Sequence, residues 1–427
     1  MARREQVGGR GPAAAVVAVA VAVAVAAAGV VPLGCGRPAP PATDFQRDLA
    51  ALEQEGVGAR DGGGTGRAVW LQRRWALTGD ADQLVAASQL LDQACAAGGS
   101  SPPLWLLSAM VALDGHRLAD ARRLLDGLAA AAPELVDAPL VVLVGGDLAL
   151  QEGRWQEAEA AYTHALASRR EWDALARLAY LRAVQGDGEA ADRLYAEAEE
   201  QLDAKEMRTL AWLEVQRGRI DFTHGRLQAA RARYQRAARA YSGYWLVEAR
   251  LAEVTAAMGQ LPQALAAYEA LAADPSHPDL AQALGELYTF AGQPARARPY
   301  YDRALAAYQR SVDRGEVHYL HQLATFHADI SGDAAAAVHW AERDLALRAG
   351  TPSAHDQMAW ALFRAGRVAE AREEIGAALR AATRDPHVLY HAALIAMAAN
   401  DPDGARGFLQ RIDAINPGYR TTFHAHN

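Results

Sequence analysis

Histidine is the residue type in this chain whose chemistry and spacing point most directly to a site. Of the 13 histidines, His318 and His321 are three residues apart, and His387 and His391 are four apart. Each pair shares one face of a helix, where two neutral imidazoles can hold a transition metal. A zinc site also needs a third converging ligand, and no His-Glu-x-x-His motif is present. We therefore predict no metal site, with His318, His321 and His387 as the candidates should one exist.

Other motifs with chemical potential are incomplete. Asp401-Pro402-Asp403-Gly404 begins like a calcium loop but lacks the later acidic ligands, so the pattern favours a turn. The glycine run at 62–66 is not followed by the Lys-Ser/Thr pair of a phosphate-binding loop, and no nucleophile elbow is visible. We predict no catalytic residues, no cofactor and no enzymatic activity.

The composition favours packed helices and disfavours nucleic acid as a partner. Hydrophobic residues make up 51% of the chain and aromatic residues only 7%, and the apolar content is mostly Ala, Leu and Val. Alanine has the highest helix propensity of the amino acids. The formal net charge is −8, whereas a nucleic-acid-binding surface is basic.

The N-terminus has the pattern of an export signal. Residues 1–12 carry three arginines, residues 13–33 are almost wholly Ala and Val, and Gly34-Cys35 follows. This arrangement resembles the signal peptides of bacterial lipoproteins, in which the cysteine becomes the lipidated first residue. An uncleaved membrane anchor and simple secretion are the alternatives. All three place residues 36–427 outside the cytoplasm, in the cell envelope or beyond it.

Residues 35–66 are predicted to be a linker. Pro38, Pro40 and Pro41 open this segment and the glycine run at 62–66 closes it, and both residue types disfavour regular structure. A short helix at about 43–56 is compatible with the sequence between them.

One sequence pattern recurs along the rest of the chain. It consists of an apolar helix, a glycine turn at Gly153, and a second helix with Ala158, Tyr162 and Ala165 at fixed spacing. The turn position returns at intervals of about 34 residues. Its later copies are Gly186, Gly225, Gly259, Gly292, Gly366 and Asn400.

This period and pattern resemble the tetratricopeptide repeat, and Leu284-Gly285 with Tyr288 is the fullest match to its first helix. The resemblance implies an all-α, right-handed superhelical solenoid of helix-turn-helix units. About eight repeats span residues 139–418, degenerate helical repeats occupy 67–138, and a tail at 419–427 can shield the last repeat.

The resemblance also implies a binding surface, because the first helix of each tetratricopeptide repeat lines the concave face. Aromatic residues and arginine dominate binding energy at interfaces. The alternative is that some aromatic residues at the groove positions, Trp212 and Trp360 above all, are core residues between helices. The groove positions are Tyr180, Trp212, Phe222, Glu253, Glu286, Phe290, Asp356, Trp360, Arg364 and Tyr390.

These observations favour an envelope-anchored scaffold that binds a peptide or protein partner in the concave groove. Two alternatives stay open at this point. One is a metal- or small-ligand-binding protein that uses the late His/Asp cluster, and the other is a non-catalytic subunit of an envelope enzyme complex. The repeat pattern itself does not choose among them, because one fold supports many functions.

Overall fold

The computed structural model describes residues 41–59, 63–99, 101–380 and 384–423. Within these ranges the chain forms 21 α-helices and no β-strand. The predicted signal at 1–34 and Cys35 lie outside the described residues. None of the described helices combines the length and hydropathy that crossing a bilayer requires.

Helices α1 to α21 follow one another with short connections, and turns of 3₁₀ type at Pro133–Leu135 and Tyr419–Thr421 and a π turn at His327–Ser331 add to them. The helices are α1 Asp44–Ala59, α2 Gly63–Thr78, α3 Ala81–Ala96, α4 Pro102–Asp114, α5 Leu118–Ala131, α6 Pro139–Gln151, α7 Trp155–Ser168, α8 Trp172–Val184, α9 Gly188–Glu200, α10 Met207–Thr223, α11 Leu227–Ala240, α12 Trp245–Ala257, α13 Leu261–Leu271, α14 Pro278–Phe290, α15 Pro294–Asp313, α16 Leu320–Phe326, α17 Ala334–Leu347, α18 Pro352–Arg364, α19 Val368–Leu379, α20 Pro386–Ala398 and α21 Pro402–Ile415.

From α2 onward the helices form ten pairs, eight of them after Pro139. A residue with positive φ ends the first helix of most pairs, because the left-handed conformation lets the next amides bond back to the last helical carbonyls. The φ of Gly153 is 78° and that of Asn400 is 62°, as the repeat pattern requires. In the pair α4 and α5 this position is held by His116, with a φ of 57°.

Within a pair, a small residue on the first helix faces the aromatic ring on the second. A Cβ at Gly146 would lie 2.6 Å from the ring of Tyr162, and one at Gly285 would lie 2.5 Å from the ring of Tyr301. Tyr162 is fully buried. The aromatic residue of the repeat pattern therefore packs against the first helix of its own pair. The size of its ring sets the distance between the two helices.

The solenoid coils back onto itself. The Asn416 side-chain amide donates to the carbonyl oxygen of Thr223 at 3.2 Å, across 193 positions of sequence. Arg314 pairs with Asp82 at 2.7 Å, across 232 positions. Because a repeat is about 34 residues long, one superhelical turn takes about six repeats, and successive turns are in direct contact.

The contacts between turns occur at the ends of helix pairs. The turn that follows a first helix in the earlier repeats meets the turn that follows a second helix in the later ones. At Gly153 any Cβ would collide with the backbone of Gly350, and at Gly186 it would lie 2.7 Å from the Cβ of Arg384. Glycine at these two positions is required by close approach as well as by positive φ.

Most of the segment predicted as a linker is helical. Helix α1 begins at Asp44, whose backbone N–H donates to the Ser242 hydroxyl oxygen at 3.0 Å, and Phe45 is buried in the cluster that contains Trp245. The sequence at 44–56 lacks Pro and Gly until Gly56, so a helix costs little there. This helix lies against the start of α12, one superhelical turn later in the chain.

Candidate functional site

The first helices of the pairs form the inside of the solenoid. Helix α14 buries most of its residues, whereas the second helix α11 buries only Ala230, Tyr234 and Ala237. Neighbouring first helices also contact one another directly, as α16 does with α18 and α18 with α20. We call the surface of α6, α8, α10, α12, α14, α16, α18 and α20 the inner face.

The ten predicted groove residues fall into three classes of exposure. Four are buried, four are half-buried and two are exposed, because first helices are packed on both sides and again at the contacts between turns. The buried members are Phe222, Glu253, Asp356 and Trp360, the half-buried ones Tyr180, Trp212, Glu286 and Tyr390, and the exposed ones Phe290 and Arg364. The buried four contact the rest of the chain, so a partner would meet mainly the other six.

Trp360 shows what holds a buried member of this set. Its indole N–H donates to a carboxylate oxygen of Asp329 at 2.8 Å. Its ring stacks on the imidazole of His391, with centroids 4.1 Å apart and an interplanar angle of 6°. Trp360 therefore links α18 to the first helices on either side and belongs to the core, the alternative that its size favours.

Buried charge also connects neighbouring first helices. The guanidinium of Arg177 on α8 donates to both carboxylate oxygens of Asp147 on α6, at 2.9 and 3.0 Å, and the hydroxyl of Tyr162 donates to the same carboxylate at 2.9 Å. Burial raises the pKa of Asp147, which the charge of Arg177 opposes. The pair is satisfied by hydrogen bonds and fixes the register of α8 on α6.

A cluster of possible metal ligands lies between α18 and α20. We call Asp356, His387 and His391 the His/Asp cluster. The two carboxylate oxygens of Asp356 lie 3.0 and 3.1 Å from Nδ1 of His391, and Oδ2 lies 3.7 Å from Nε2 of His387. One donor atom from each residue lies within 4.8 Å of the others. Burial raises the pKa of Asp356, the two imidazoles lower it, and the net shift is downward.

The other predicted histidines are not members of this cluster. His318 Nδ1 lies 3.9 Å from Glu316, and burial lowers the pKa of His318 to about 4. His321 Nδ1 lies 3.4 Å from Asp344. His318 precedes α16 and His321 lies in it, and α18 separates α16 from α20, so of the three candidates only His387 belongs to the His/Asp cluster.

The residues after the last helix cross to the earlier superhelical turn. We call residues 416–423 the tail segment. Asn416 bonds the end of α10, as described above, and the ring of Phe423 lies 5.5 Å from that of Phe290 at the end of α14. Phe423 is buried in the same apolar cluster as Phe222. Tyr419 lies against Tyr390, with ring centroids 6.1 Å apart.

Repeated pairs of antiparallel helices, a glycine or asparagine turn, and an alanine–aromatic–alanine second helix are thus present along the array. The tetratricopeptide repeat family matches residues 357–420, which span the last helix pair and most of the one before it. The chain contains tetratricopeptide repeats.

Several solved structures are similar to this chain at low sequence identity and with TM-scores below 0.5. A tetratricopeptide repeat protein from Parabacteroides merdae is 18% identical and covers 57% of this chain and 93% of its own, with a TM-score of 0.35. The Cut9–Hcn1 hetero-tetramer of the APC/C is 16% identical over 88% of this chain and 81% of the other, at 0.42. The human IFIT1 dimer with m7Gppp-AAAA is 11% identical over 86% of each chain, at 0.43. No curated protein matches the sequence significantly.

The pairings of Asp356 with His391 and of Asp147 with Arg177, which sequence reasoning missed, share one signal. Asp356 precedes His391 by 35 residues, and Asp147 precedes Arg177 by 30. Both separations are close to one repeat, so equivalent positions of neighbouring first helices face each other. A search for complementary polar residues one repeat apart could have found Asp356 and the Asp147–Arg177 pair from the sequence.

Proposed function

We propose that this protein is a scaffold of the cell envelope that binds a peptide segment or a protein surface along its inner face. The repeat fold supports this, since stacked helical repeats present one long continuous surface suited to extended partners. The net charge of −8 favours a protein over nucleic acid as that partner.

The observation that carries the proposal is the tail segment. A short stretch of chain after the last α-helix lies across the ends of first helices, bonded through Asn416 and anchored by Phe423 on Phe290. This arrangement is that of a bound peptide with an aromatic anchor, here supplied by the chain itself. The same kind of surface on the remaining first helices is suited to a segment of another protein.

The residues available to such a partner are those that the array leaves accessible. The side chain of Phe290 is 50% exposed even with Phe423 beside it, and Arg364 is exposed at the end of α18. Tyr180 and Tyr390 are half-buried on α8 and α20. Rigid aromatic side chains and arginine are the types that contribute most to binding at interfaces.

The envelope location is part of the same proposal and depends on residues 1–35. Lipidation at Cys35 would hold the array at a membrane surface while leaving its inner face free. Replacing Cys35 by serine is expected to move the protein from the membrane fraction to the soluble fraction on cell fractionation. Unchanged membrane association of Cys35→Ser would favour an uncleaved anchor, and secretion of both forms would contradict anchoring.

The test of binding is crosslinking in intact cells, followed by affinity capture and mass spectrometry. The native protein is compared with Phe290→Ala/Tyr390→Ala, which removes two accessible aromatics from first helices. Val136→Ala is the matched control, because Val136 is 41% exposed but lies in the connection between α5 and α6.

A protein captured by the native form and the control but lost in the double variant would support the scaffold. If that protein is an enzyme, the chain is a non-catalytic subunit of its complex. An identical set of proteins from all three forms would contradict binding through the inner face.

A further inference from the structure

We propose that the His/Asp cluster, Asp356, His387 and His391, is a binding site for one Zn²⁺ ion. The donors are two imidazole nitrogens and a carboxylate oxygen, a set that zinc uses in proteins. The site is distinct from the accessible aromatics proposed to bind a partner and does not depend on them.

The distances between donor atoms are close to those around a tetrahedral ion. Zinc–nitrogen and zinc–oxygen bonds of about 2.0–2.1 Å place neighbouring ligand atoms about 3.3 Å apart. With Asp356 Oδ2 as the ligand atom, the separations here are 3.1 Å to His391 Nδ1 and 3.7 Å to His387 Nε2. The two imidazole nitrogens lie within 4.8 Å of each other, so small side-chain movements bring the three donors to one centre.

The surroundings hold each ligand in a suitable orientation. Nδ1 of His387 lies 3.2 Å from the hydroxyl oxygen of Tyr419, so a proton on Nδ1 directed at that oxygen leaves Nε2 free for the ion. Trp360 fixes the ring of His391 by parallel stacking, with centroids 4.1 Å apart. Neighbouring groups that orient the ligand side chains without touching the ion are typical of metal sites.

The charge of the site and its access from solvent are also suitable for a divalent cation. The carboxylate of Asp356 is buried, and a divalent cation is a stronger counter-charge for it than a single imidazolium. The side chain of His387 is 42% exposed and gives the ion a path from solvent. Three protein ligands leave the fourth tetrahedral position to water.

An ion in this site would join parts of the chain that are otherwise held by weaker contacts. It would tie α18 to α20 directly, and through His387 it would fix Tyr419 of the tail segment. Binding of the ion would therefore help to hold the end of the array together.

The test is a titration of the untagged full-length protein, stripped with chelator, with ZnCl₂ in an isothermal calorimeter. One equivalent is expected to bind. His387→Ala and Asp356→Asn are expected to weaken binding by at least about 100-fold, and Tyr419→Phe by about 10-fold. Replacing Zn²⁺ by Co²⁺ should give the visible absorption of a tetrahedral site in the native protein and not in His387→Ala.

The matched control is His355→Ala. His355 precedes Asp356 on α18 but bonds Glu374 on α19 at 2.6 Å, so its loss should leave zinc affinity unchanged. Binding of less than half an equivalent by the native protein, or equal affinity in His387→Ala, would overturn the proposal. If Asp356→Asn does not fold, His387→Ala decides the question, because the His387 side chain is 42% exposed and its loss disturbs the packing less.

Discussion

Several side chains on the inner face are polar and yet buried, and some of them are paired with a residue one repeat away. Arg177 and Asp147 form one such pair, and His391 and Asp356 form another. A charged group that loses its partner in a buried position is strongly destabilising, so such pairs disfavour any other register between neighbouring helices. The buried polar residues therefore specify how the repeats stack, and the accessible aromatic residues stay available for the proposed partner.

His277 is a buried polar residue without such a partner, since neither ring nitrogen has a hydrogen bond and the ring lies 5.0 Å from that of Trp245. Burial lowers the pKa of His277 from 6.5 to about 3. Between these values the unfolded chain binds a proton that the folded chain does not, so stability is lost as the pH falls through this window.

We expect His277→Leu to remove this dependence. Below pH 6 the opening free energy of amides in α14 should fall less steeply with decreasing pH than in the native protein, by up to about 1.4 kcal/mol per pH unit. Hydrogen exchange of α14 at a series of pH values measures it. Burial raises the pKa of Asp279, whose carboxylate lies 3.9 Å from Nδ1 of His277, to about 6, and this group gives the opposite slope. Parallel profiles would show that His277 is not neutral in the folded state.

At the scale of elements, two glycine turns with nearly the same backbone conformation have different surroundings. The φ of Gly153 is 78° and that of Gly259 is 79°. A Cβ at Gly259 would meet nothing within 4 Å, whereas one at Gly153 would collide with Gly350 of the next superhelical turn. The two positions therefore separate the effect of positive φ from that of close approach.

Substitution of each by asparagine, which tolerates the left-handed conformation, measures this difference. Gly259→Asn is expected to cost no more than about 1 kcal/mol, and Gly153→Asn about 1–3 kcal/mol more because of overpacking. Hydrogen exchange should also be faster around residue 350 in Gly153→Asn alone. Equal losses in the two variants, with no change near residue 350, would contradict the stacking of successive turns.

Features set by a local sequence pattern were predictable, and contacts set by the superhelix were not. The helix pairs, the turn at Gly153 and the packing of Tyr162 follow a local pattern, so an all-α repeat solenoid was predictable and is confirmed. Contacts such as Asn416 with Thr223 join residues 193 positions apart and depend on the pitch of the superhelix, which no local pattern encodes. His116 at a glycine turn position was missed for a different reason, since only its backbone conformation distinguishes it.

The candidate site was predictable in part for the same reason. The spacing of His387 and His391 showed that they share a helix face, but Asp356 comes from the preceding first helix. The burial of Trp360 and Glu253 results from packing between neighbouring first helices, which a position within the repeat does not reveal. Phe290, which was also predicted as a groove residue, is accessible because the helix ends there.

For the whole molecule, stacking of successive turns decides which part of the inner face a partner can reach. Contacts at Asp82, Gly153 and Gly186 close the gap between turns, and the tail segment covers part of the opening near Phe290. A partner segment would compete with Phe423 for Phe290. Loss of Phe423 should therefore strengthen binding, and loss of Phe290 should weaken it.

The most direct measurement is the affinity of the captured partner for the purified native protein and for its variants, by calorimetric titration. Binding through the inner face predicts a dissociation constant at least about 10-fold higher for Phe290→Ala/Tyr390→Ala, a lower one for Phe423→Ala, and an unchanged one for Val136→Ala. Equal affinity of the native protein and the double variant, with both folded by circular dichroism, would contradict a scaffold that binds through this face.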